Sequence, residues 1–293
     1  MAARKITCTN EDGIEIVLTD AFSPYLLEAC DGIYEFKANV SMSANTMTDG
    51  STYQGSVTSM RNIVLSLRDK PGADHMQNRA FLYNVFKPKS QGVFTYEEND
   101  VQRTINYYVE SVIADGQMRS RRATVSLLCP DPFFQDISDI TVQMAGWTAL
   151  WEWQHEFVDG GEEFGSRIQE RIKEIDNESA ADGIGLTIEI DASGPITNPS
   201  ISHVEQGETI TIGTAGNPLE LENGDRVIIT TGTNNKHVYL VSGGVKTEIN
   251  EYLSEDSEFL QLMHGINTFG YAADAGDEHM TVTISFRYKY LGV

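Results

Sequence analysis

Apolar residues recur at every second position along most of this chain, and that spacing limits it to sheets. Ile14, Ile16 and Leu18 alternate, as do Ile63, Leu65 and Leu67, so each set falls on one face of an extended strand. The same spacing returns at 101–109, 123–127, 186–190, 210–212, 227–229 and 282–288. Turn residues at 222–225, 242–244 and 275–277 separate short strands, a pattern of sandwich or barrel sheets rather than of βαβ units.

One segment departs from the alternation. Asp74 can cap a helix that carries Met76, Ala80 and Tyr83 at helical spacing and ends before Pro88. The first part of the chain therefore reads as α+β with one helix. Arg167, Glu170, Arg171 and Glu174 are also spaced for a short helix over 166–175, although the β-rich surroundings argue against it.

The best boundary is Pro130, Asp131 and Pro132, because two prolines two residues apart end a strand and stiffen the chain into a connector. This places a first domain over 1–134 and a second over 135–293, with the last strand free to return to the first. The charge divides there too. Residues 1–135 hold 13 basic and 16 acidic groups, and residues 136–293 hold 8 and 27, so net charges of −3 and −19 make up the total of −22. So acidic a second half repels phosphate backbones. No run approaches the roughly 18 apolar residues of a membrane helix, and no leader peptide is expected.

The chain offers little to chemistry. Cys8, Cys30 and Cys129 are odd in number and far apart, which suits buried free thiols better than a disulfide framework or zinc ribbon. The six histidines form no i, i+4 pair, and no nucleophile elbow or phosphate-binding loop is present. Carboxylate clusters at 159–163, 255–258 and 274–278 lack the register of a calcium loop and read as solvated turns. Trp147, Trp151 and Trp153 alternate like a half-buried strand, favouring packing over a stacking platform. These residues call for no catalytic site, no cofactor and no metal.

Several motifs, in order, carry a resemblance. Arg61-Asn-Ile-Val-Leu-Ser-Leu67 precedes the helix and Phe86-Lys-Pro88; Arg103-Thr-Ile-Asn-Tyr-Tyr-Val-Glu-Ser111 and Cys129-Pro-Asp-Pro-Phe-Phe134 follow. Asn198-Pro-Ser-Ile-Ser-His-Val204, Met263-His-Gly-Ile-Asn267 and Tyr288-Lys-Tyr-Leu-Gly-Val293 continue the series. Together they resemble the distal tail proteins of long, non-contractile-tailed bacteriophages. One departure is His264, where that family usually has proline before the Gly-x-Asn turn.

The resemblance implies a mostly β virion protein whose first domains form a ring, six copies in number, with a galectin-like antiparallel β-sandwich projecting from each. The ring would sit at the distal end of the tail, assembled in the host bacterial cytoplasm. It would join the tail tube protein to the hub or fibre protein and pass DNA through its lumen as cargo, with no membrane partner. The stretch 37–55, with Met42, Met47 and Tyr53 in a polar context, is the candidate inter-subunit contact, or else an ordinary mobile loop. The alternative function is a glycan-binding adhesin module of a tail tip or tail-like bacteriocin. Cutting near Phe134 should leave 1–134 associating and 135–293 a soluble monomer.

Overall fold

The computed structural model describes residues 4–19, 22–45, 47, 49–72, 74–99, 101–115, 121–149, 165–169, 171–179 and 181–293, without side chains at 145–149 and 165–169. The chain divides into two compact units, Met1–Ile137 with Lys289–Val293, and Ser138–Tyr288. The described residues are mostly β, with one α-helix.

The first unit holds β1 (Lys5–Asn10), β2 (Glu15–Val17), β3 (Tyr25–Asp31), β4 (Ala38–Ala44), β5 (Ser51–Thr58), β6 (Arg61–Asp69), α1 (His75–Val85), β7 (Gln91–Glu98), β8 (Val101–Ala114), β9 (Arg122–Cys129) and β10 (Phe134–Gln135). Its antiparallel sheet runs β2-β1-β7-β8-β9-β6-β3, with β10 attached to β8. Alternation translates directly into packing: Ile63, Leu65 and Leu67 of β6 are buried against Val125 and Leu127 of β9 and Phe94 of β7.

The helix forms where its cap requires, with the Asp74 carboxylate accepting from the Met76 and Gln77 amides at 2.9 and 3.3 Å. Its buried face is not the expected one. Met76, Ala80 and Tyr83 are exposed, while Asn78, Leu82 and Val85 pack inward. Asn78 turns in because its amide donates to Asp69 Oδ1 at 3.1 Å, a buried polar pair that an apolar pattern does not register.

The second unit holds β11 (Ile140–Gln143), β12 (Ala145–Ala149), β13 (Gly165–Gln169), β14 (Ile172–Asn177), β15 (Ile184–Gly185), β16 (Thr187–Ala192), β17 (Ile196–His203), β18 (Glu208–Thr211), β19 (Glu220–Leu221), β20 (Arg226–Gly232), β21 (Asn235–Ser242), β22 (Val245–Glu248), β23 (Gln261–Leu262), β24 (Gly265–Ala275) and β25 (Met280–Phe286). One sheet runs β11-β25-β16-β20-β21-β22 and a second runs β14-β24-β17-β18. Ile188, Ile229 and Val282 from the first face Ile201, Ile210 and Phe269 from the second in one core, so the unit is an antiparallel sandwich.

Among the described residues of 166–175 there is no helix. β13 and β14 occupy that stretch, and β14 turns Ile175 and Asn177 inward while Ile172, Glu174 and Asp176 face out. A two-residue period with charges on its outer positions mimics helical charge spacing over so short a stretch. Trp147 lies on β12, but its side chain, and Trp151 and Trp153 altogether, fall outside the described residues. His264 leaves its turn well held: Gly265 takes φ +86°, and Asn267 Oδ1 accepts from the Met263 amide at 2.7 Å.

β26 (Lys289–Tyr290) belongs to the first unit, pairing Tyr290 with Phe134 and Lys289 with Gln135 of β10. A fragment cut near Phe134 would therefore lack a strand of that unit, so the expected test by truncation does not isolate an intact half.

Candidate functional site

The most exposed regular structure is the hairpin β4–β5. Every residue of β4 faces solvent, and among the described residues its two strands pair only with each other. Met42 lies opposite Tyr53, and both share a face with Val40, whose partner is Ser56. Met47, in the connecting loop, is 96% exposed. A two-stranded ribbon is marginal in water by itself, and one that shows Val40, Met42, Tyr53 and Val57 to solvent has the chemistry of a contact surface.

The root of the hairpin is held by one buried cation. Arg61 opens β6 on the same face as Ile63, Leu65 and Leu67, and is 5% exposed. Its guanidinium donates to the carbonyls of Gly32 (2.5 Å), Ile33 (3.4 Å), Glu35 (2.8 Å), Pro132 (2.7 Å) and Leu291 (2.5 Å), and lies 4.9 Å from the centroid of the Phe134 ring. Among the described residues it has no ion pair; oriented carbonyl dipoles do the work of a counter-ion. Burial depresses its basicity. The approach is close enough that Gly32, at φ +88°, has no room for a side chain: a Cβ there would sit 2.0 Å from the Asn62 carbonyl oxygen.

The connector residues fall into the same cluster. Pro132 supplies one of the carbonyls, and the Asp131 carboxylate accepts from Lys289 Nζ at 2.7 Å and from the Phe133 amide at 3.2 Å. Pro130, between Cys129 and Asp131, is exposed. Beside them the Arg103 guanidinium covers the Tyr290 ring and donates to Asp136 at 2.8 Å, and the Tyr290 hydroxyl donates to the other oxygen of Asp136 at 3.0 Å. The structure thus gathers Pro130, Asp131 and Pro132 with Arg61 and β26, and leaves Met42, Met47 and Tyr53 apart on the ribbon. Arg61 as a clasp escapes sequence reasoning, although a charged residue in register with three core aliphatics was the available signal.

The titratable groups with displaced values are structural. Burial holds the Cys8 thiol well above its usual range and pushes Cys30 and Cys129 up to about 12, so none is a ready thiolate. Among the described residues no three His, Cys, Asp or Glu side chains converge as metal ligands.

The ribbon and the clasp are features of a contact surface and its anchor rather than of a catalytic site, and comparison with known proteins bears on the fold that carries them. Residues 183–290 match the siphovirus-type tail component, C-terminal domain. Those residues carry the C-terminal domain of that tail-component family. SPP1 Dit, described as a paradigm of hub adsorption apparatus in phages infecting Gram-positive bacteria, has the same fold at a TM-score of 0.68 and 15% identity, over 98% of this chain and 99% of that one. A chain of the activated phage P2 baseplate with calcium matches at 0.55 and 10% identity over 99% of both, and its strontium counterpart at 0.54 and 10%. No curated protein sequence matches. At these identities the solved structures speak for the fold alone, which this chain shares with SPP1 Dit over 98% of its length.

Proposed function

We propose that this chain closes into a ring, six copies in number, at the distal end of the tail. The ring joins the tail tube to the hub or fibre protein and leaves a lumen through which DNA passes. The observation that carries the reading is the β4–β5 ribbon: a paired, apolar surface with no core of its own within the chain, on the unit that bears little net charge. A head-to-tail contact through Met42, Met47 and Tyr53 onto the next copy generates a cyclic assembly when the rotation closes. Near-neutral first units can approach one another, whereas second units at −19 each repel if packed closely. The role is structural rather than enzymatic. Pro130, Asp131 and Pro132, held by Arg61 and β26, stiffen the chain inside the first unit, shortly before it passes to the second.

Light scattering after gel filtration, with class averages from electron microscopy of the full chain, tests this. Rings of uniform stoichiometry are expected. A clean monomer across a wide concentration range, without rings by microscopy, overturns it.

A further inference from the structure

A cleft of about 480 Å³ opens in the second unit, inside the roughly 300–1,000 Å³ range of small-molecule sites. Three separate pieces of chain build it. Gln206 and Glu208 come from the turn into β18, Lys236 from the tip of the β20–β21 hairpin, and Glu258, Phe259 and Gln261 from the segment leading into β23.

That segment is irregular yet firmly fixed. The Glu258 amide donates to Thr209 O at 3.0 Å, and Ser257 Oγ accepts from the Thr211 amide at 3.0 Å and donates back to Thr211 O at 3.1 Å. Leu260 and Leu262 are fully buried on either side of Gln261. The walls of the cleft are therefore set before anything enters it.

Its polar groups are unspent. Some carboxylates elsewhere on this unit are engaged by described residues, Glu189 and Asp191 with Arg226 and Glu248 with His237, and others, such as Glu220 and Glu255, are not; what sets this cleft apart is that four unengaged polar side chains meet beside an aromatic ring. The side chains of Gln206, Glu208, Glu258 and Gln261 make no hydrogen bond or ion pair with any described residue, although all four line one cleft. Two carboxylates offer acceptors and two amides offer both donors and acceptors. Phe259, packed on the core at its back, supplies an apolar wall, with Lys236 Nζ 5.4 Å from its ring centroid.

We propose that this cleft is a binding site for neutral carbohydrate. Adjacent hydroxyls donate to the carboxylates and amides, and the C–H face of a sugar ring lies against Phe259. A polyanion is opposed by the −19 of residues 136–293. The proposal is independent of the ring, since one copy contains the entire cleft.

The test is saturation-transfer NMR and titration of the full-length protein with glucose, galactose, rhamnose, N-acetylglucosamine, maltose, lactose and cellobiose, with polygalacturonate as the anionic arm. At least one neutral sugar should bind with millimolar affinity or better. The double substitution Glu208→Gln with Glu258→Gln should weaken it on the order of tenfold or more at an unchanged melting temperature. Phe259→Leu, which keeps the core contact but loses the ring, should weaken the same sugar with its hydrogen bonds intact. Binding of none of the seven, binding indifferent to both variants, or tighter binding of polygalacturonate overturns the proposal.

Discussion

Two hairpins in this chain obey the same local rules and meet different fates. In β20–β21 a tight turn at Gly232 and Asn235 joins strands that send Val227, Ile229 and Val238 into the sandwich core. In β4–β5 a longer loop joins strands whose register shifts once, between Ser41 and Met42, and that bury nothing, while Val40, Met42, Tyr53 and Val57 stay in water. Alternation in the first is accounted for by its own chain. In the second the apolar residues have no such account, and a surface that nothing inside the subunit explains is where a neighbour is expected.

The contrast can be broken in several ways. The largest effect should come from Arg61→Ala, which removes the donor that the carbonyls of Gly32, Ile33, Glu35, Pro132 and Leu291 share and should cost about 3–5 kcal/mol in chemical denaturation. The first unit should melt early and the second near its wild-type position. Loss of less than about 1 kcal/mol would mean that water replaces the guanidinium and that the clasp is ornamental.

Ile229→Ala, in the hairpin with a core, should cost about 2–5 kcal/mol through the cavity it leaves. The triple substitution Met42→Ser, Met47→Ser and Tyr53→Ser, in the hairpin without one, should change subunit stability by less than about 0.5 kcal/mol yet abolish assembly seen by light scattering. Equal melting losses in the two variants would erase the distinction between them.

The smallest effect concerns acid. The Thr268 hydroxyl and amide donate to Glu205 at 2.5 and 2.7 Å and hold its carboxyl below the usual range. With the folded value depressed, its contribution is complete above the ordinary carboxylate range and is lost as pH falls through the lowered folded value. Glu205 is exposed, so Glu205→Gln should remove only a few tenths of a kcal/mol near neutrality and flatten the acid limb of the stability curve. A variant with an acid limb as steep as wild type would show that other carboxylates set it.

Strands were the most legible part of the fold, because a period of two needs only neighbours in sequence to declare itself. The helix was legible from Asp74 and Pro88, but its inner face was not, since Asn78 is buried for the sake of Asp69, a residue on another element. Pro130 and Pro132 announced a stiff connector. What holds them comes from Gly32, Arg61 and Leu291, and no local pattern links positions so far apart. The ribbon was legible as a hairpin with misplaced apolar residues. The cleft at Phe259 was invisible, because its walls converge only after the sandwich has folded.

The return of β26 to β10 gives the molecule a schedule. Phe134 leaves the ribosome early, but its partner Tyr290 and the Leu291 carbonyl that Arg61 needs are made only after every residue of the second unit. Chains elongate at roughly 5–20 residues per second, so the first unit waits roughly 8–30 seconds with its clasp open while the sandwich is translated. A copy stalled inside the sandwich lacks Tyr290 and the Leu291 carbonyl, and so leaves the root of its ribbon without two of its fastenings.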